Sequence, residues 1–161
     1  MCIEEQIIDV DGSCRDINVP DVGRSEAVSL LNLVKASFEL RSAADSEGHE
    51  LSVDGMIERL SASESETILS CWTCEGLISP LQIFFSWNKD TNVFVELTFF
   101  PQDVDSREYS LTGFLDWLRP VLVALNTSKY FVRYENASWQ YGDTSETSGV
   151  IFTNVQHAVN G

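Results

Sequence analysis

LQIFFSWNKDTNVFVELTFF, residues 81–100, decides the fold. Leu81, Ile83, Phe85 and Trp87 alternate with polar or smaller residues, and so do Val93, Val95, Leu97 and Phe99. A period of two places each set on one face of a β-strand. Asn88-Lys89-Asp90-Thr91 supplies the turn between them. Residues 68–75, rich in Ile, Leu, Trp and Thr, predict a further strand just before this hairpin. Three consecutive antiparallel strands follow from this reading.

The flanks change period. Ala27, Leu30, Leu31, Val34 and Phe38 recur at helical spacing within 25–41, with Ser25 or Asp21 placed to cap the start. Leu111, Phe114, Leu115, Leu118, Leu122 and Leu125 give a second stripe, capped by Ser110 and expected to kink near Asp116 because Pro120 removes a helical donor. Ser52 can cap a short helix carrying Met56, Ile57 and Leu60. Residues 42–50 and 61–66 read as polar loops. The opening run predicts a hairpin from Ile8 and Val10 to Ile17 and Val19, turning at Asp11-Gly12 and closed by Pro20. Strands are expected at about 130–135 and 150–153. With no internal repeat and no linker, residues 1–161 predict one α+β domain. It should hold a largely antiparallel sheet of about five to seven strands packed against two main helices on a common face.

The 161 residues carry 25 acidic and 10 basic side chains, a formal net charge of −15. Such a surface repels phosphate backbones and anionic lipid, which argues against nucleic-acid or membrane partners and for a basic protein partner. The start, Met1-Cys2-Ile3-Glu4-Glu5, shows no basic region followed by an apolar one, so a cytoplasmic protein is expected.

Reaction chemistry is sparse. CWTCEG, residues 71–76, pairs Cys71 with Cys74. A thioredoxin-like pair needs a helix N-terminus to lower the first thiol's pKa, and Glu75-Gly76-Leu77-Ile78-Ser79-Pro80 is too broken to supply one. On a strand, residues three apart face opposite ways, so the sulfurs would not meet. A structural zinc site needs four ligands, whereas Cys2, Cys14, His49 and His157 are isolated. Asp9-Val10-Asp11-Gly12 lacks the Gly and Glu that a calcium loop requires further on, and no phosphate-binding glycine motif or nucleophile elbow occurs. No catalytic residue, metal or cofactor is expected.

Residues 130–152, YFVRYENASWQYGDTSETSGVIF, concentrate aromatics and carboxylates. Tyr130, Val132 and Tyr134 share a strand face, while Trp139 and Tyr141 fall in a glycine-containing stretch and suit an interface. In this stretch, its size, its acidity and its α+β pattern, the chain resembles the small acidic immunity proteins that bacteria make against contact-dependent or polymorphic toxins. The resemblance implies inhibition by binding: carboxylates occupy the active site or substrate surface of a basic cognate toxin, such as a nuclease. The candidate partner-binding residues are Asp103, Asp105, Glu108, Glu135, Trp139, Tyr141, Asp143 and Glu146, in two stretches that follow strands. A small thiol-based or hydrolytic cytosolic enzyme and an acidic adaptor subunit remain open as other readings.

Overall fold

The structure, a computed structural model, describes residues 1–62, 64–135 and 149–154. Its elements are helices α1 (Ile3–Ile8), α2 (Arg24–Ser37), α3 (Val53–Ser61) and α4 (Leu111–Ala124) and strands β1 (Arg15–Val22), β2 (Glu39–Asp45), β3 (Glu66–Thr73), β4 (Leu81–Trp87), β5 (Val93–Phe99), β6 (Phe131–Tyr134) and β7 (Val150–Thr153). The strands form one antiparallel sheet in the order β2-β3-β4-β5-β1-β6-β7. It is an α+β fold of the expected kind.

The predicted hairpin is the pair β4–β5, with Ile83 opposite Leu97 and Phe85 opposite Val95. Its apolar set is buried together with Leu30 and Leu31 of α2, Met56 and Leu60 of α3, and Phe114 and Leu118 of α4. Phe99 meets Phe114 with ring centroids 6.0 Å apart, and α2 touches both α3 and α4. The helices at 24–37 and 111–124 therefore lie over a common face, as the two stripes require. Ser52 and Ser110 cap as expected, accepting hydrogen bonds from the Gly55 and Gly113 amides at 3.0 and 2.9 Å. Helix α4 runs through Pro120 unbroken, with the proline on its exposed side.

Four expectations are corrected. Residues 3–8 are helical, so the opening hairpin does not form, and Asp11-Gly12 instead turns the chain from α1 into β1, Gly12 taking φ +87°. Pro20 does not end a strand but lies inside β1. Pairing with β6 stops at Asn18, and the register with β5 shifts between Val19 and Val22, so the missing proline N–H leaves no ladder bond unmade. As β1 continues to Val22, neither Asp21 nor Ser25 caps α2; Gly23 occupies that position. Residues 39–45, expected as helix end and loop, form edge strand β2, whose small and polar side chains carry no apolar alternation because only Ala43 is fully buried.

Phe85 lies at the centre of this core and is fully buried. Phe85→Ala should cost about 3–5 kcal/mol, and Ser110→Ala about 1 kcal/mol through loss of its cap. Urea unfolding of both variants measures the two losses; comparable effects would contradict this ranking.

Candidate functional site

Strand β1 lies between β5 and β6, and both neighbours run antiparallel to it. β5 and β6 therefore leave the sheet at the same end, where Phe99, Arg15 and Tyr134 stand in register across three strands. The connections that follow, beginning at Phe100 and at Glu135, depart about 10 Å apart, two interstrand spacings. Topology thus brings the first predicted stretch and Glu135, where the second begins, to one end of the sheet.

At that end, Asp103 closes a 3-10 turn (Pro101–Asp103) and its carbonyl accepts the Ser79 amide at 3.2 Å. Partial burial raises the Asp103 carboxyl above its ordinary range. Asp105 donates its amide to the Leu77 carbonyl at 2.8 Å. Its carboxylate accepts from the Arg107 guanidinium and amide at 3.0–3.2 Å, and these bonds lower its pKa. Glu108 is exposed. Glu135, also exposed, follows β6, and its Oε2 accepts the Cys14 amide at 3.1 Å. Trp139, Tyr141, Asp143 and Glu146 lie outside the described residues.

Sequence reading missed the rest of this end. Glu4, Glu5, Asp9 and Asp11 of α1 and the turn after it are exposed beside the 101–109 connection, to which Tyr109 ties them through a 2.7 Å bond to the Glu4 carbonyl. Arg15 is fully buried, donates to the carbonyls of Gln6 and Asp9 at 2.9 Å, pairs with Asp11 at 3.2 Å, and stacks 4.5 Å from the Tyr134 ring centroid. Hydrogen bonds from the Ser13 side chain and amide, then the Arg15 guanidinium, hold Asp11 down at about 2. Arg15 and Arg107 are thereby committed to local carboxylates, and the exposed Glu4, Glu5, Asp9, Glu108 and Glu135 leave the described surface of this end negative.

The second face of the sheet, opposite the helices, carries a polar cluster. Registered partners in a ladder share a face. Gln82, Thr98, Asp16 and Arg133 therefore form one row across β4, β5, β1 and β6, and Phe84, Glu96, Asn18 and Phe131 the next. Asp16 and Asn18 are buried although both are polar. The Thr98 hydroxyl donates to Asp16 Oδ1 at 2.8 Å. Neither amide atom of Asn18 has a hydrogen-bond partner among the described residues, a condition that costs roughly 1–3 kcal/mol. Burial, and then the neighbouring Asp16 carboxylate, push Glu96 up to about 8 against the opposing pull of Arg133. Alternation in RDINVP and VFVELTF marks these polar residues in the sequence, but identical alternation is found in any half-exposed strand. What the sequence does not show is that β1 is central.

The remaining candidate chemistry is structural in form. Cys71 lies within β3, and Cys74 follows it into an irregular connection to β4, without the helix a redox pair requires. Burial raises the Cys74 thiol, which donates to the Ile78 carbonyl at 3.6 Å, the reverse of an activated thiolate. Among the described residues no three His, Cys, Asp or Glu side chains converge as metal ligands. A groove of about 690 Å³ between α1 and β7, lined by Met1, Cys2, Ile3, Gln6, Tyr134 and residues 149–153, has no charged side chain among the described residues of its lining. No helix among the described residues is long and apolar enough to cross a membrane.

No protein-family model matches the sequence, and no curated protein matches it. The fold is similar to that of a chain in the crystal structure of the toxic C-terminal tip of CdiA from Pseudomonas aeruginosa in complex with immune protein. The two chains superpose with a TM-score of 0.62 over 88% of this chain and 94% of the other, at 14% identity. At that identity the likeness is one of fold, and it meets the resemblance to toxin-immunity systems drawn from the sequence.

Glu96 has a definite consequence for stability. Its folded pKa, about 8, stands above the ordinary 4.5, so between these values the folded state keeps a proton that the unfolded state releases. Stability should then fall as pH rises from 4.5 to 8, by up to about 1.4 kcal/mol per pH unit, and level off above. Glu96→Gln removes this slope. In urea unfolding from pH 5 to 9 the variant's advantage over wild type should grow up to about pH 8; a constant difference would show that Glu96 titrates normally.

Proposed function

We propose that this protein is an immunity protein that binds a cognate toxin and neutralises it, with the acidic end of the sheet as its docking surface. The observation that carries this reading is the convergence of Asp103, Asp105, Glu108 and Glu135 with the carboxylates of α1 at one end of the sheet, in a chain whose fold is shared with a member of a toxin–immune protein complex. A toxin that holds nucleic acid or another anionic substrate needs lysines and arginines around its active site. Matching carboxylates steer association and occupy that surface. On this reading the partner is basic, a nuclease being the best fit, and the protein acts by occupancy rather than turnover. It would work in the cytoplasm of the bacterium it protects.

The direct test mixes the purified protein with the toxin encoded beside its gene, measuring complex formation and rescue of toxicity. A stoichiometric complex that abolishes toxicity is expected; no complex with any genomic neighbour, or unaided turnover of a substrate, would overturn the reading. Steering adds a kinetic demand, because exposed charges act over a Debye length of about 8 Å at physiological salt. Combining Asp105→Asn, Glu108→Gln and Glu135→Gln should slow association about tenfold at low salt, with the difference fading as salt rises. Stopped-flow association rates across a salt series would reveal it, and equal rates for both proteins would remove these carboxylates from the docking surface.

A further inference from the structure

We propose that the groove at the end of α1, floored by Ile8 and Val10 and flanked by Glu5 and Asp9, seats one basic side chain, lysine or arginine, of the partner. This rests on the immunity reading and names, within the acidic end, the place where the partner is held.

The groove opens to solvent and holds about 580 Å³, with Met1, Glu5, Ile8, Asp9 and Val10 as its described lining. Glu5, Ile8 and Asp9 stand three and four residues apart, the spacing that gathers side chains on one side of a helix. Met1 is 72% and Val10 64% exposed, two of the four large apolar side chains that stand exposed among the described residues. One exposed valine is ordinary on a protein surface. Two such side chains in a single depression rimmed by carboxylates fit an amphipathic occupant. The aliphatic stem of lysine or arginine covers Ile8 and Val10 while its charged head meets Glu5 and Asp9. A wholly apolar side chain would desolvate those carboxylates without pairing them.

Nothing in the chain supplies that cation. All 10 lysines and arginines lie among the described residues, and none lines the groove. Arg15 is fully buried and committed to Asp11, and Arg107 pairs with Asp105. Beside Glu5 the described residues place one cation, the Met1 amino group; the hydrogen bond from the Cys2 amide at 2.9 Å, and then this amine, lower the Glu5 pKa. The exposed Asp9 carboxylate has no hydrogen bond or ion pair among the described residues. The rim is also built in advance. A six-residue helix does not persist alone in water, but Arg15 donates to the Gln6 and Asp9 carbonyls and fixes its end. A partner therefore meets Asp9 and Val10 already ordered.

Two measurements on the full chain test this. In the first, the toxin encoded beside the gene is titrated with wild type, with the double variant Asp9→Asn, Val10→Ser, and with Val123→Ser, which removes the 73% exposed valine of α4. All three side chains are exposed, so each variant should unfold in urea as wild type does. The double variant should bind about tenfold more weakly, chiefly through faster dissociation, while Val123→Ser keeps wild-type affinity. Full affinity in the double variant, with toxin still neutralised, would overturn the seat and leave the immunity reading standing. The second measurement needs no toxin. The Ile8 and Val10 methyls and the Asp9 amide are followed by NMR while N-acetyl-lysine methylamide is added, with the uncharged N-acetyl-norleucine methylamide as control. The lysine analogue should move all three signals further than the control does, and Asp9→Asn should reduce the difference. Equal shifts with both compounds would overturn the proposal. A response to the lysine analogue without any toxin binding would keep the seat and remove the immunity reading.

Discussion

Placing β1 in the middle of the sheet is the constraint on which the remaining structure depends. From Arg15 to Asn18 this strand has a partner on each side, and both of its faces are buried there as well. Ile17 and Val19 meet the helices on one face, where burial of each contributes about 1.5–3 kcal/mol. Asp16 and Asn18 are carried by the same pleat to the other face, where they gain no such benefit. The strand cannot bury one pair without the other. A stable core and a strained polar cluster are two sides of one segment.

Arginines secure the two ends of that strand. Arg15 gathers the end of α1 and the turn after it onto Tyr134. Arg24, just beyond β1, donates to the carbonyls of Leu60, Ala62, Asn88 and Thr91 and lies 5.1 Å from the Trp87 ring centroid. Arg41, Arg59 and Arg119 pair with acids nearby. With at least six of the 10 basic residues occupied in this way, counting Arg107, the long-range field of a chain of net charge −15 is left to its carboxylates. That internal use of arginine links the packing of this fold to its choice of partner.

Much of the architecture was legible because it depends on local periodicity. The hairpin at 81–100, both helical stripes and the caps at Ser52 and Ser110 each follow from residues within one element. What escaped depends on neighbours distant in sequence. Pro20 reads as a stop until the bulge and the limit of β6 pairing are known. Residues 39–45 read as helix end and loop because an edge strand needs little apolar alternation. Asp16, Asn18 and Glu96 read as solvent-facing because strand order is not written in any one strand. Of the candidate site, Asp103, Asp105, Glu108 and Glu135 share one end of the sheet, while Trp139, Tyr141, Asp143 and Glu146 fall outside the described residues. Arg15 was invisible as a site residue, since its partners lie in a helix that the opening sequence did not announce.

The central claim is that the partner docks on the end of the sheet where β5 and β6 emerge, and not on the helices. Hydrogen–deuterium exchange of the protein alone and with its toxin tests this most directly, because it maps the footprint without altering a residue. Slowed exchange in residues 9–14 and 101–109, with α2 and the 88–92 turn unchanged, is the result this account predicts. Protection confined to the exposed sides of α2 and α4 would contradict it.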